Sequence, residues 1–407
     1  MMPPRTHPIR TLLFSTLYPS STRPHHGIFV ETRLRHLLDS GEVDSRVVAP
    51  VPWFPSTHER FGDWARMAAT PAHEVRRGIE VHHPRYVLPP RVGMNIAPWA
   101  LALGARRTVA ALIRDGWDFD LIDAHYYYPD GVAASMLARW FGKPFVVTAR
   151  GSDLSLIPQF RWPRRLIRDT ARRAAASIGV SASLTELLAA QGADRAKLHV
   201  MRNGVDLERF SPQPREPLRR VLGVEGDMPL LLSVGHLIER KGHHIAIDAL
   251  AALGGMPEAH LAIVGEGPLR ESLHAQAQRL GVGARVHFAG AVRNEELAHW
   301  YSAADLLVLA SSREGWANVL LESMACGTPV VATAVSGTPE VVRSDAVGSL
   351  VEARDGANFA RAIALQLARA PSRQTVRRYA EGFSWQDTTD AQVALFRRVI
   401  DGEAIHA

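Results

Sequence analysis

Short apolar runs rich in Val, Leu and Ile alternate along the chain with longer stretches in which apolar residues recur every three or four positions. In the first half the runs fall at 10–16, 45–50, 120–125, 144–150, 176–181 and 198–204. Between them, 30–41, 95–116 and 130–142 carry a helical period. Continuous apolar strands separated by helices predict a parallel sheet covered on both faces. At 208–220 three prolines and several charges predict a linker, since proline removes a backbone donor and blocks regular structure. The pattern restarts with runs at 229–235, 260–267, 285–290, 305–311, 328–334 and 347–352, and a helical tail begins near Ser384. The expected architecture is α/β, with two doubly wound domains at 1–205 and 206–385. Two such domains on one linker leave a cleft, and ligands of open α/β sheets bind at the carboxyl ends of strands.

A length of 407 residues agrees with two domains, because single cores stop growing near ~250–300 residues. The single cysteine, Cys326, excludes an intrachain disulfide framework and an all-cysteine metal site. It reads as a small buried residue at a helix–strand joint. No run reaches the ~18–20 apolar residues expected of a spanning helix. The basic start and short apolar run of MMPPRTHPIRTLLFSTLYPSS lack a small-residue cleavage site and read as a strand entering a loop rather than a signal peptide.

Charge divides the chain. Residues 1–205 hold 27 Lys+Arg against 17 Asp+Glu, whereas 206–407 hold 20 against 24. Only Lys143, Lys197 and Lys241 are lysines. A basic half suits phosphorylated ligands, an anionic membrane or nucleic acid, or reflects arginine-rich composition alone. No aromatic-rich RNA motif or paired-helix signature supports nucleic acid. Segment 160–177, FRWPRRLIRDTARRAAAS, mixes six arginines with Phe, Trp, Leu and Ile, as a helix lying on an anionic surface would.

Three loops after strands of the second half carry candidate chemistry. In SVGHLIERKGHHIAIDAL (233–250), Lys241 and the start of a helix near His243 can meet an anion. In LAIVGEGPLR (261–270), glycines allow close backbone approach to a ligand. In SSREGWANVLLESMACGTPVVATAVSGTPEVV (311–342), Glu314 and Glu322 stand eight apart. Glu314 lies in a loop and Glu322 on a helix starting near Ala317–Asn318. A carboxylate one turn into that helix suits a pair of sugar hydroxyls, and the free N–H groups of its first turn suit a phosphate.

EGWANVLLESMACGTPVVAT, with its E-x7-E pair, resembles the retaining glycosyltransferases of family four. SVGHLIERKG, RNGVDLERFSP (202–212) and VHFAGAVRNEELAHWYSAADLLVLAS resemble that family's donor-diphosphate loop, the end of its first domain and its nucleotide-base segment. YPSSTRPHHGIFVETRLRHL and DAHYYYPDGVAA are similar to the teichuronic-acid and exopolysaccharide subgroup. The resemblance implies the GT-B fold, two Rossmann-like domains facing across a cleft, with helix 386–407 packing back on the first. It implies a hexosyltransferase that retains anomeric configuration, needs neither cofactor nor metal, and takes a nucleoside-diphosphate sugar. The implied acceptor is a glycan or polyprenyl-linked molecule in bacterial surface polysaccharide synthesis. The implied location is the cytoplasm, at the inner face of an anionic membrane.

Residue by residue, the resemblance implies sugar contact by Glu314, ribose contact by Glu322 and diphosphate contact by Lys241. Gly235, Glu266, Gly267, Gly315, Asn318 and Val319 fall in the donor-binding loops. His236 stands where the family's loop carries arginine, so Arg240 is the expected substitute. His125 matches a histidine near the reacting sugar. Arg150 replaces a second family histidine in TARGSDL, Asp153 is expected to anchor that loop, and Gly27 alone stands where two glycines are usual. Asp118-Phe119-Asp120 resembles a metal motif of another glycosyltransferase fold, but it precedes a strand instead of following one. A sugar-nucleotide epimerase and a non-catalytic nucleotide-sugar binder are the competing readings.

Overall fold

The computed structural model describes residues 7–89, 93–224, 226, 228–256 and 258–402. Residues 1–6 and 403–407, which the expected domain ranges include, lie outside the described residues. The chain forms two compact units: Met1–Arg202 together with Gln386–Ala407, and Asn203–Trp385.

The first unit is built on an eight-stranded sheet. Its spatial order is Leu198–Val200, Ala176–Gly179, Phe145–Ala149, Leu121–His125, Ile9–Phe14, Val43–Val48, Ile79–His82 and His73–Arg76. Every pairing is parallel except the last. Central strands such as Leu121–His125 and Phe145–Ala149 are buried at every position, which their unbroken apolar sequence anticipates. The closing helix, Trp385–Asp401, places Val393, Leu395, Phe396 and Val399 in one core cluster with Ile9, Leu121, Val146 and Ile178. The end of the chain thus completes the core that its beginning starts.

The second unit holds a six-stranded, all-parallel sheet in the order Val286–Gly290, His260–Val264, Leu230–Val234, Leu306–Leu309, Val330–Thr333 and Gly348–Val351. Helices His243–Ala252 and Gly356–Arg369 pack against it through Ile245, Ile247, Leu250, Phe359 and Ile363. Asn203, Gly204 and Val205 belong to this unit. Val205 N donates to Phe383 O at 3.0 Å. A side chain on Gly204 would fall 2.4 Å from Trp385 N.

All twelve apolar runs form strands. Four further strands are absent from the sequence reading. Val51–Pro52 pairs with Arg85–Tyr86, and His73–Arg76 pairs with Ile79–His82 across Arg77 and Gly78, both at positive φ. HEVRRGIEVH alternates instead of running apolar, because this edge hairpin buries one face only. The expected linker at 208–220 is corrected as well. Its end is the helix Glu216–Val221, with proline in the first turn, where the missing N–H costs nothing. Arg219, buried in that helix, donates to Asp305 Oδ2 at 3.0 Å and ties it to the second unit.

The expectation that no stretch is long and apolar enough to span a bilayer also fails. Helix Gly93–Arg114, 22 residues, meets that test by length and composition. Its residues Ala97, Leu101, Ala105, Val109 and Leu112, spaced three or four apart, are buried as a core stripe. Met94, Ile96, Trp99 and Leu103 remain exposed on the same helix.

Candidate functional site

In the second unit, three strands end in loops that press together backbone to backbone. Gly265 has φ +143°, and a Cβ on it would sit 1.9 Å from the carbonyl oxygen of Gly235. Only glycine permits that approach. Leu237 N donates to Glu266 O at 2.8 Å, Gly235 N to Val264 O at 2.9 Å, and a Cβ on Gly267 would meet Leu237 O at 2.6 Å. The loop after Leu230–Val234 is therefore held against the loop after His260–Val264. Ser312 N donates to Arg240 O at 2.8 Å and Arg240 Nη1 to Arg313 O at 3.0 Å, which fastens the first loop to the one after Leu306–Leu309.

These contacts place Lys241 Nζ 2.7 Å from Glu314 Oε1, with Arg240 Nη1 3.6 Å from the same oxygen. The Lys241 and Glu314 side chains are 16% and 9% exposed, so the pair is largely removed from solvent. Two cations and one carboxylate give the cluster a net positive charge suited to an anion. Glu322 projects from the helix Asn318–Ala325, and its Oε2 accepts from Tyr301 Oη at 2.7 Å. Burial raises the Glu322 pKa, against the Tyr301 hydrogen bond and the charges of Arg209 and Lys241. Burial and the neighbouring carboxylate raise that of Tyr301, which stays a phenol and donates. Asn318 Oδ1 accepts from Asn203 Nδ2 at 3.1 Å.

The structure thus brings Gly235, Arg240, Lys241, Gly267 and Glu314 into one cluster, with Glu322 beside Tyr301 and Asn318 at the start of its helix. Gly315 and Val319 are partly exposed between these two carboxylates in sequence. His236 and Glu266 are exposed, and each contributes its backbone carbonyl to the loop framework. The Arg240 guanidinium stands beside the Lys241–Glu314 pair, 3.6 Å from Glu314 Oε1.

In the first unit, His125 ends its strand and is 1% exposed. Its Nε2 lies 3.2 Å from Asp123 Oδ2, and its Nδ1 contacts Arg150 Nη2. Burial, opposed by Asp123, pushes the His125 pKa down to about 4. A neutral ring facing a carboxylate and a guanidinium carries its proton on Nε2 and accepts at Nδ1. This ring, expected near the sugar, has its Nε2 engaged by Asp123 and its Nδ1 by Arg150. Its physical effect is to hold Arg150. Burial lowers the Arg150 pKa strongly, and the guanidinium also lies over the Phe29 ring at 5.2 Å.

Asp153 accepts from the backbone N–H groups of Tyr127, Arg150 and Gly151 at 2.8, 3.1 and 2.6 Å. Burial raises its pKa and those bonds oppose the shift. Gly27 adopts φ +60° ahead of helix Ile28–Asp39, where a Cβ would fall 1.8 Å from Leu17 O. This glycine is required by packing against Leu17. Asp118 pairs with Lys143 at 2.7 Å, Phe119 is fully buried, and Asp120 Oδ2 accepts from Arg10 N at 2.9 Å, so all three members of that motif serve the fold.

Sequence reasoning missed Tyr301, Asn203, Asp123, Arg33 and Gln392. Gln392 accepts from Arg33 Nε at 2.6 Å and donates to Asp123 Oδ2 at 3.2 Å, linking the closing helix to the His125 pair. Asp123 was within reach of pattern analysis, since it lies two residues before His125 on the same strand face. Gln392, 269 positions from Asp123, gives no such signal.

A family model described as Glycosyltransferase Family 4 matches residues 63–209, and one described as Glycosyl transferases group 1 matches 214–383. D-inositol 3-phosphate glycosyltransferase 1 of Catenulispora acidiphila is 32% identical over 89% of this chain and 92% of its own. A protein of Bacillus subtilis named as a teichuronic acid biosynthesis glycosyltransferase, TuaC, is 30% identical over 81% of this chain and 82% of its own. Among solved structures, sucrose-phosphate synthase of Thermosynechococcus elongatus superposes with a TM-score of 0.79 at 21% identity, covering 98% of this chain and 100% of that one. Anabaena Alr3699/HepE, solved with UDP, gives 0.71 at 20% identity over 96% and 99%. The chain is a glycosyltransferase of family four, with the two Rossmann-like domains of the GT-B fold.

Proposed function

We propose that this glycosyltransferase moves a hexose-type sugar from a nucleoside-diphosphate donor to a glycan or polyprenyl-linked acceptor, in the synthesis of a bacterial surface polysaccharide. The observation that carries the donor half is the contact of Lys241, Arg240 and Glu314 on two of the three interlocked loops. In this reading the diphosphate takes Lys241 and Arg240, the sugar hydroxyls take Glu314, and the ribose takes Glu322 in its Tyr301-bonded position. The neighbour solved with UDP makes that nucleotide the first to test.

When the bond from the anomeric carbon to the diphosphate oxygen breaks, its electron pair stays on the phosphate. Lys241 and Arg240 meet that charge, and a fixed donor of this kind contributes on the order of 2.7–4 kcal/mol to lowering a barrier. The acceptor hydroxyl attacks the same face and passes its proton to the leaving phosphate, so configuration is retained. A two-carboxylate mechanism needs an accessible partner for Glu314. Asp123 and Asp153 are buried and bonded to the protein instead. Positive charge on the protein serves the departing phosphate, and this reading assigns no metal to the step.

Arg150, held by His125, is the cation we assign to an anionic acceptor. That choice accords with relatives named for transfer to D-inositol 3-phosphate. Trp99 and Trp162 stack at 6.1 Å, both exposed, beside the arginines of helix Arg161–Arg173. We assign this surface to an anionic membrane on the cytoplasmic side, where a polyprenyl-linked acceptor would be found.

Thermal unfolding of the purified chain with UDP, GDP and ADP, with and without EDTA, tests the reading. A ligand at 100 times its dissociation constant adds about 2.7 kcal/mol of stability. One nucleotide should stabilise the protein equally in EDTA, and its sugar conjugate should support transfer. No stabilisation by any of the three would refute the donor site.

A further inference from the structure

A second cluster lies at the far edge of the first unit's sheet, in the hairpin His73–Arg76 and Ile79–His82. His73 stands directly opposite His82 in the antiparallel pairing. Glu80, two residues before His82, projects from the same face of its strand. The two imidazole rings lie with centroids 4.8 Å apart, and His82 Nε2 is 3.9 Å from Glu80 Oε2. One nitrogen of each histidine and a carboxylate oxygen all fall within 4.8 Å of one another. His82 Nε2 is shut off from solvent and has no hydrogen-bond partner among the described residues. Arg46 Nε lies 3.1 Å from Glu80 Oε2.

Two imidazoles and one carboxylate are a donor set for borderline transition metals rather than for calcium or magnesium, which take oxygen ligands. We propose that His73, Glu80 and His82 bind one divalent transition-metal ion of the zinc class, with solvent completing its coordination. Tetrahedral ligands at about 2.0–2.2 Å stand about 3.4 Å apart, so ligand atoms up to 4.8 Å apart must close by up to about 1.4 Å. All three are partly or fully exposed, which leaves them room to turn.

The same hairpin braces the segment that leads to Gly27. Glu74 accepts from Ser21 N at 3.1 Å and contacts His83 Nε2 at 3.0 Å. Arg76 Nε donates to Glu31 Oε1 at 2.5 Å, and its Nη2 donates to Pro24 O at 3.2 Å. A metal across the two strands would staple the hairpin and so stiffen residues 21–31. It takes no part in the transfer step, and the proposal does not depend on the donor site.

Zinc ion alone, titrated calorimetrically into the full chain without nucleotide or acceptor, tests this directly. One tight equivalent should bind, and zinc-edge absorption should report two imidazoles with oxygen. The melting temperature should rise on loading. His73→Ala with His82→Ala should remove that equivalent and the rise, Glu80→Gln should weaken binding about tenfold, and exposed His58→Ala should change neither. Circular dichroism of the double variant checks that it is folded. Failure of the native chain to bind one equivalent, or persistence of that equivalent in the folded double variant, would overturn the proposal. Activity is not read, so neither result depends on the transfer reaction.

Discussion

Lys241 and Glu314, 73 positions apart, meet at 2.7 Å where two strand-end loops converge, and Arg240 stands 3.6 Å from the same carboxylate oxygen. The pair joins the group we assign to the leaving phosphate to the one we assign to the sugar. Glu314→Ala and Lys241→Ala should each reduce the transfer rate constant by on the order of 10²–10³-fold. Both variants should keep the native circular dichroism spectrum. Near-normal turnover by folded Glu314→Ala would remove the residue from the mechanism.

Tyr301 offers a second, separable test. Tyr301→Phe deletes the donor to Glu322 and keeps the buried ring. An acceptor left short of its partner costs about 1–3 kcal/mol. Nucleotide affinity, followed by calorimetry, should fall about tenfold while the rate constant at saturation changes little.

His125 gives stability a pH dependence of known sign. Its pKa is about 4 in the folded chain, against 6.5 for the free side chain. Between these values the unfolded chain binds the proton and the folded chain does not, so stability falls as pH drops from about 6.5 to about 4. The contribution is on the order of 3 kcal/mol. Urea unfolding at several pH values should show a shallower acid loss in His125→Asn than in the native chain. His243, also about 4, and Asp130, raised to about 7, titrate in both proteins and cancel in the difference.

Gln392 joins Arg33 to Asp123 within a fully buried network. Gln392→Leu leaves both charged groups short of a partner, at about 1–3 kcal/mol each. The urea midpoint should fall accordingly. Gln392→Ala should behave alike, because the loss lies in the hydrogen bonds and not in the added apolar volume.

The basic surface can be tested on vesicles. Binding of the chain to anionic vesicles should fall about thirtyfold in Arg164→Ala with Arg165→Ala, at ~1 kcal/mol per charge. Trp99→Ala and Trp162→Ala should weaken binding at high salt as well, since their contribution is apolar. Retention that is indifferent to all four changes would exclude this surface as the contact.

The repeated order of strand and helix was legible in the chain, because a strand buried on both faces must be apolar throughout and so announces itself locally. Leu230–Val234 and Phe145–Ala149 are examples. The loops at the carboxyl ends of these strands were legible for the same reason, and with them Lys241, Glu314 and Glu322. The edge hairpin His73–His82 was not, because its polar face interrupts the apolar run. Nor was the helix Glu216–Val221, whose proline at the first turn has the same local signature as a linker.

Tertiary structure alone decided which polar groups meet. Asp123 depends on Gln392, Glu322 on Tyr301, and Asn318 on Asn203, across separations that no local pattern encodes. It also decided the state of His125. A histidine at a strand end is compatible with an open site or with a satisfied core. The difference lies in burial and in the Asp123 and Arg150 groups on either side. Residue type sets which chemistry a side chain can perform. Packing sets its charge, its tautomer and its partners, because those depend on desolvation and on neighbours brought together only by the complete fold.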